Sequence, residues 1–456
     1  MKKLYSRFKN IIDKHQLISD RDRIIAAISG GVDSIALLHL LFKLMHEAEI
    51  SFELQAAHLN HSTRDGASDK DQALVEGTCQ KYAIPLETKK VDVHKKAQQS
   101  NLSFEMMARK VRYDFFQKIA GNGTIATGHT LDDHIETILL RVIKGTGLNG
   151  LGGIEYKTDN IIHPLRFATK DELYSYAAEE QLNFNEDSTN FENKCDRNVI
   201  RNIIIPTINQ KINPNFIDAV DRLSQISSEV NNFINQRAIK KISNLTNDRA
   251  SWYYALDHKK FESLHIALLK HIILEISNRL IPHSTIDFSS FEQIVEQLSH
   301  KNRGQIIKLN SDLYANFDRD HLIIYNSKAQ NWNETAIEIN QTFKTQTFKF
   351  STQLVGKEGN KSPSPNVEYI DYDKIKGDLK LRHWKYGDKF KPLNFNHRKK
   401  VSDYFIDNKI PKFKKHFIPI LESDNRIVWI CGQRLSDEFK LENHSKNILK
   451  LIYSEK

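Results

Sequence analysis

Two short clusters in the first third of the chain combine residue types that can do chemistry together. The first is Ser29-Gly30-Gly31-Val32-Asp33-Ser34. Its glycines let backbone approach a phosphate closely, and its serines add hydroxyls. Asp33 is the odd member: beside a phosphate its carboxylate repels, unless a cation such as Mg²⁺ lies between them. The second is Gly128-His129-Thr130-Leu131-Asp132-Asp133-His134-Ile135-Glu136, with Asp132 and Glu136 at i,i+4 and Asp133 and Glu136 at i,i+3. On a helix that spacing puts three carboxylates on one face. Acidic residues in a first turn can simply complement the helix dipole. Opposite a phosphate loop, they are better suited to holding Mg²⁺ or orienting a nucleophilic amine.

Both clusters need a strand before them and a helix after them. Arg23–Ile28 is apolar and β-branched enough to be a buried strand, and Ile35–Leu44 is apolar on every side, as a buried helix is. Strand, small-residue loop and helix together aim N–H groups and the positive helix end at an anion. The loop lacks the Lys of G-x-x-x-x-G-K-[ST], so it is not a Walker A loop. Strand candidates at 23–28, 52–58, 85–91 and 124–128 alternate with helix candidates at 33–49, 68–82, 103–120 and 131–144. That rhythm predicts βαβ units in a doubly wound, mostly parallel α/β sheet, closed by a helix over 196–212. Ligands of such sheets lie beyond the carboxyl ends of strands. Residues 29–34, 58–61 and 128–133 all fall there, so His58, Gly128 and His129 should meet the loop in one crevice.

Other motifs are weaker. Arg197 and Arg201 stand at i,i+4 and can clamp phosphates or pair with Glu186 or Asp187. Arg109 and Arg112 lie on the helix over 103–120, where surface ion pairing is the ordinary fate of a charge. His58 and His61 form H-x-x-H with no third ligand in reach, which argues against zinc. Gly145-Thr146-Gly147-Leu148-Asn149-Gly150 matches G-x-G-x-x-G but follows a helix, so the dinucleotide reading fails and a flexible loop over 145–153 is expected.

A chain of 456 residues is expected to form two or three domains. No apolar run is long enough for a membrane span, the basic N-terminus lacks the apolar core of a signal peptide, and three isolated cysteines without C-x-x-C exclude a disulfide framework or redox pair. A cytoplasmic protein is expected. The net charge of +9 is uneven: residues 376–456 carry 19 of the 66 Lys+Arg and 10 of the 57 Asp+Glu, leaving 47 of each sign before them. A basic terminal module beside a neutral body points to a nucleic-acid partner. Lys389, Lys399 and Lys400 are candidate phosphate contacts there, with Trp384, Tyr386 and Phe390 as candidate stacking faces. The expected domains are 1–212 (nucleotide-binding), 213–330 (mostly helical, with a hairpin over 304–326), a polar linker region over 331–375, and a compact mixed α/β module over 376–456.

The first loop resembles the S-G-G-x-D-S pyrophosphate loop of ATP pyrophosphatases, whose fold is the adenine nucleotide alpha hydrolase-like one. The chain as a whole resembles the tRNA(Ile)-lysidine synthetases of that group. The resemblance is carried by Ser29–Ser34, by His58-Leu59-Asn60-His61 with Arg64, and by Gly128-His129-x-x-Asp132-Asp133-x-x-Glu136-Thr137. It continues through Arg141, Gly145–Leu151, Pro164-Leu165, Glu186–Asn190 and Arg197-Asn198-x-x-Arg201, and through Tyr386–Pro392, Lys399–Phe405 and Lys409-Ile410-Pro411. His134 stands where Gln is expected and His163 where Arg is expected. The resemblance implies ATP at Ser29, Gly30, Gly31, Val32, Asp33, Ser34, His58, Gly128 and His129, with Mg²⁺ at Asp33 and Asp132. It implies catalytic roles for Asp33, Asp132, Asp133 and Glu136. Arg109, Arg112, Arg141, Arg197 and Arg201 would grip phosphate, RNA or the carboxylate of L-lysine. The implied reaction adenylates C2 of the first anticodon cytidine of an isoleucine tRNA with anticodon CAU and then joins L-lysine to it. The product, lysidine, reads AUA instead of AUG. A homodimer is a further expectation of the resemblance. Rival readings fare worse: thiolation generally uses carrier cysteines, a glutamine-fed amide synthetase needs a second catalytic domain, and an inert RNA-binding relative would not need Asp33, Asp132, Asp133 and Glu136 intact.

Overall fold

The computed structural model describes residues 2–47, 50–62, 66–100, 103–186, 195–261, 264–300, 305–318, 320–356 and 364–456. Arg64 and Asp187–Asn190, named above, lie outside them. The chain divides into two units, Met1–Asn231 and Asn232–Lys456.

The first unit runs α1 (Lys2–Lys14), β1 (Arg23–Ala27), α2 (Val32–Glu47), β2 (Glu53–Asn60), α3 (Ala67–Lys81), β3 (Leu86–Lys90), α4 (Val93–Gln98) and α5 (Phe104–Ala120). It continues with β4 (Thr124–Thr127), α6 (Leu131–Ile143), α7 (Leu148–Leu151), β5 (Lys157–Thr158), β6 (Ile161–Ile162), α8 (Lys170–Glu179), α9 (Asp196–Val199), α10 (Ile205–Lys211) and the start of α11 (Phe216–Leu245). The sheet order is β3-β2-β1-β4-β6-β5, parallel except for the β5–β6 edge. β1 lies at its centre, with Ala26 opposite Ala56 on one side and Ala126 on the other. Alternation along β1 serves two cores. Ile24, Ala26 and Ile28 join Phe8, Leu37, Leu41 and Tyr176 on one face, and Ile25 joins Val111, Phe115 and Ile125 on the other. This is the doubly wound sandwich expected from the strand–helix rhythm.

α1, α4, α7, α8, β5 and β6 were not expected. α1 is an amphipathic helix whose Leu4, Phe8 and Ile12 are buried. α8 opens on a capping box, Thr169 with Glu172. The loop expected over 145–153 contains one helical turn, α7. Between α9 and α10 the helix passes through a π turn, Ile200–Ile204, just before Pro206. Proline lacks the amide for an i→i−4 bond and its ring crowds the carbonyl four residues back, and the wider turn accommodates both.

The second unit extends one expectation and corrects another. The stretch read as mostly helical holds α12 (His258–Phe261), α13 (Ile266–Leu280) and α14 (Phe288–His300), but also a five-stranded antiparallel sheet. Its strands are β7 (Thr246–Ala250), β8 (Tyr253–Asp257), β9 (Ile306–Lys308), β10 (Leu313–Asp318) and β11 (His321–Asn326), in order β7-β8-β11-β10-β9. The expected hairpin is β10–β11. β7 reads Thr-Asn-Asp-Arg-Ala and is largely exposed, so no apolar pattern betrays it. The stretch 331–375, expected to be a linker, instead supplies β12 (Thr335–Ile337), β13 (Thr342–Lys344), β14 (Phe348–Val355) and β15 (Val367–Asp371). β12 pairs with β16 (Leu379–His383), β14 and β15 pair with the last strand of the chain, and β13 pairs with β14. Beyond β16 follow β17 (Lys389–Phe390), β18 (Lys399–Lys400), α15 (Val401–Asp407), β19 (Pro419–Ser423), β20 (Arg426–Ile430), β21 (Arg434–Leu435) and β22 (Ile448–Glu455). Sheets β12-β16-β19-β20-β21 and β13-β14-β22-β15 share a core of Phe348, Phe350, Leu421, Trp429, Leu449 and Leu451. The terminal region is therefore mostly antiparallel β, and it begins well before residue 376.

Candidate active site

The loop after β1 is shaped from within. Ser34 Oγ accepts from the amides of Ser29 (3.1 Å) and Gly30 (3.2 Å) and donates to Gly31 O (2.9 Å). Ser29 Oγ lies 3.1 Å from it. Gly30 has φ +99°, a conformation that side chains rarely adopt, and packs on Asp71 of α3. The end of β4 comes against this loop through Gly128: a Cβ there would stand 3.0 Å from the Asp33 carbonyl carbon and 3.2 Å from the Ser34 nitrogen. That contact brings the loop and the acidic cluster together.

α6 starts with a reciprocal cap. Thr130 accepts from the Asp133 amide, while Asp133 Oδ2 accepts from the Thr130 amide (2.9 Å) and hydroxyl (3.0 Å). Burial alone would raise the Asp133 carboxyl; the Thr130 amide and surrounding positive charge reverse that and hold it below its ordinary value. Glu136 is completely buried. Arg197 Nε donates to it at 2.8 Å, and Arg201 grips both its oxygens. Arg197 also donates to Asp133 O (3.2 Å) and to the Thr137 hydroxyl (2.9 Å), and Arg201 reaches Asp133 Oδ1 at 3.3 Å. Burial pushes Glu136 up and the guanidiniums oppose it; Arg201 is held above its ordinary value chiefly by the Glu136 bond. The two arginines therefore answer to Glu136 rather than to Glu186.

Asp33 stands at the start of α2 with one carboxylate oxygen buried and unpartnered. Burial raises it to about 6, reinforced by Asp133 and Asp132 and opposed by Lys170. Asp132, also raised by burial, accepts from the Lys170 backbone amide at 2.8 Å. Lys170 Nζ lies 3.7 Å from Asp33 Oδ2. Sequence reasoning passed over Lys170. The signal was there: Thr169-x-x-Glu172 ahead of an apolar run marks a helix start, and so places Lys170 at the first position of α8.

Histidines line the rest. His58 Nδ1 donates to Ile28 O (2.8 Å), and its buried Nε2 has no partner. Burial lowers its pKa, so the ring is neutral and Nε2 is an acceptor. His61 turns instead to Arg112 (3.3 Å) and is pushed down to about 4 by burial, so H-x-x-H does not converge on a metal. The Thr127 hydroxyl joins His129 Nδ1 (2.7 Å) to His163 Nδ1 (2.6 Å), and burial takes His163 to about 3. His134 is fully buried and serves structure: its Nδ1 accepts from the Ile154 amide (2.9 Å) and Arg166 Nε (3.1 Å). Arg109 lies over the Tyr113 ring, 4.9 Å from its centre, and its charge reaches His129 and His163. Arg141 donates to Gly150 O (3.1 Å) and Gly153 O (2.9 Å), closing the glycine loop.

In the second unit Lys389 and Lys400 sit opposite each other on β17 and β18, both exposed, and Lys399 pairs with Asp407. Tyr386 is almost wholly exposed (95%), whereas Phe390 is core and Trp384 is half-buried.

A parallel sheet whose first strand ends in a serine–glycine loop facing a carboxylate cluster is the arrangement of the pyrophosphate-loop ATP-using domains, and residues 1–208 match the family model described as PP-loop domain. Residues 379–452 match the TilS substrate C-terminal domain. The chain is 34% identical to the tRNA(Ile)-lysidine synthase of Clostridium tetani, over 97% of this chain and 96% of that one. It is 32% identical to that of Clostridium acetobutylicum, over 97% of each, and 30% identical to that of Clostridioides difficile, over 99% of each. The chain belongs to the tRNA(Ile)-lysidine synthase family.

Proposed function

We propose that this enzyme uses ATP to join L-lysine to C2 of the first anticodon cytidine of the isoleucine tRNA with anticodon CAU. The observation that carries the reading is the Gly128 contact, which sets a pyrophosphate-type loop beside the helix start that carries Asp132 and Asp133. The cytidine C2 oxygen attacks the α-phosphorus of ATP, and pyrophosphate departs with the electron pair of the broken bond. The positive end of α2 and the Ser29–Ser34 loop stabilise the charge developing there. The amine of lysine then attacks C2 and AMP leaves. A free lysine side chain has a pKa near ~10.4, so the amine must lose a proton before it attacks. Asp133, held ionised, draws the ammonium in and is placed to take its proton, while the buried Glu136 holds Arg197 and Arg201 in position.

Asp33 and Asp132 suit Mg²⁺. A buried unpartnered Asp33 oxygen stands beside a second carboxylate, and Mg²⁺ commonly takes one or two carboxylates and fills its remaining positions with phosphates and water. When bound, the ion neutralises triphosphate charge. Among the described residues no three His, Cys, Asp or Glu cluster to hold a metal by themselves.

Lys389, Lys400 and the exposed ring of Tyr386 offer phosphate and stacking contacts to the tRNA. A cytoplasmic location fits the substrates, and no described helix is long and apolar enough to cross a membrane. A homodimer is proposed from the resemblance to the family; sedimentation at micromolar concentration tests it. The function is tested by incubating the chain with ATP, Mg²⁺, labelled lysine and the CAU isoleucine tRNA. Label should enter this RNA and not the methionine tRNA sharing its anticodon. No transfer, or equal transfer to both, refutes the reading.

A further inference from the structure

We propose that Lys170 is a built-in counter-ion of the resting site and becomes a phosphate-holding residue during adenylation. The proposal rests on the adenylating role of the crevice.

Lys170 bridges two carboxylates from opposite sides of its own residue. Its amide donates to Asp132 Oδ2 at 2.8 Å, and its ammonium stands 3.7 Å from Asp33 Oδ2. Its backbone is not free to drift. The Thr169–Glu172 capping box fixes the first turn of α8, and Arg7 of α1 binds Glu172 from outside. The side chain is 26% exposed and carries its ammonium on a flexible four-carbon stem, so it is anchored at the root and free to turn at the tip. The neighbouring guanidiniums are occupied: Arg197 and Arg201 by Glu136, Arg141 by carbonyls.

The arrangement has a direct electrostatic reading. Burial, with Asp133 and Asp132 close by, raises the cost of ionising Asp33, and the adjacent Lys170 ammonium offsets it. ATP with its own cation brings a new partner for those carboxylates and four negative charges beside the loop. The ammonium then gains more by turning to the triphosphate than by staying on Asp33. As the bond between the α-phosphorus and its bridging oxygen breaks, pyrophosphate carries off the electron pair, and Lys170 holds that oxygen cluster without giving up a proton.

Two variants test this, Lys170→Met, which keeps the stem, and Lys170→Arg, which keeps the charge. Mn²⁺ alone, titrated without nucleotide and read by electron paramagnetic resonance, should bind Lys170→Met about tenfold more tightly than the unaltered chain, because the carboxylates have lost their internal cation. Single-turnover formation of adenylated tRNA at saturating ATP should fall about 100-fold in Lys170→Met, and Lys170→Arg should recover most of it. The proposal stands only if both readouts move; a wild-type value in either one overturns it. Failure of the unaltered chain to adenylate tRNA would instead refute the functional reading, and the Mn²⁺ titration would still decide the resting role.

Discussion

Asp33→Asn is expected to stabilise the fold while abolishing pyrophosphate release. Burial lifts the Asp33 carboxyl from 3.8 to about 6. A rise of roughly two pH units corresponds to ~3 kcal/mol of penalty on the ionised form at neutral pH. The side chain is 24% exposed and keeps the attraction of Lys170, so about half of that, ~1.5 kcal/mol, is the gain expected on neutralising it. The sign follows from linkage: a carboxyl raised on folding favours the native state below its unfolded pKa, and that advantage disappears as pH climbs through the folded pKa. The amide variant should therefore gain almost nothing near pH 4, about half its full gain near pH 5, and all of it above about pH 7. For a unit of this size, ~1.5 kcal/mol corresponds to roughly 3–6 °C in Tm. Scanning calorimetry at pH 7.5 and pH 5, with pyrophosphate release and tRNA binding measured on the same samples, checks it. A Tm at or below wild type at pH 7.5, or an equal gain at both pH values, refutes the electrostatic account. Collapse of tRNA binding would make the loop a structural element.

Arg201→Ala leaves Glu136 buried with one guanidinium and should destabilise by about 3–5 kcal/mol in urea titrations; adding Glu136→Gln should restore much of this, and simple additivity would show that the pair is not coupled. Gly128→Ala drives a Cβ to 3.0 Å from the Asp33 carbonyl carbon, so lysine transfer should fall sharply while tRNA affinity holds; a wild-type kcat would remove the contact from the mechanism. Thr130→Ala should cost about 1 kcal/mol in thermal melts through loss of the α6 cap, and an unchanged Tm contradicts that. The double variant Lys389→Gln/Lys400→Gln should lower the slope of log affinity against log salt by about 2, read by filter binding; an unchanged slope removes these lysines from the RNA interface.

The nucleotide-binding half was readable because its signals coincide. β1 is apolar after Arg23, the glycine loop follows at once, and Ile35–Leu44 of α2 is apolar on nearly every side, so period and punctuation mark the same boundaries. β1, β2, β3 and β4 begin and end within a residue or two of expectation, whereas the short β5 and β6 were not foreseen. Gly128 was placed at a strand end correctly, but its reason, an approach to Asp33 too close for a side chain, is a tertiary fact. The same holds for Arg197 and Arg201: i,i+4 spacing said that they project together, not that a buried Glu136 receives them. Residues 331–375 were misjudged because β14 shows its period of two only faintly, as Phe348, Phe350 and Thr352 among lysine, serine and glutamine. Its partner strand lies about a hundred residues later, and no local pattern announces such a pairing.

That distant partner has a consequence for how the second unit is made. β22 lies between β14 and β15 and pairs with both, Phe350 with Tyr453 and Ile370 with Leu449. A strand emerging early from the ribosome must therefore wait for residues 448–455 before its sheet can close. Closing so long a loop is slow in entropy terms, and meanwhile β14 presents an unpaired apolar edge. During synthesis the nucleotide-binding unit can finish folding first. The β unit is the stage at which chaperones would be needed and where premature termination would do most harm.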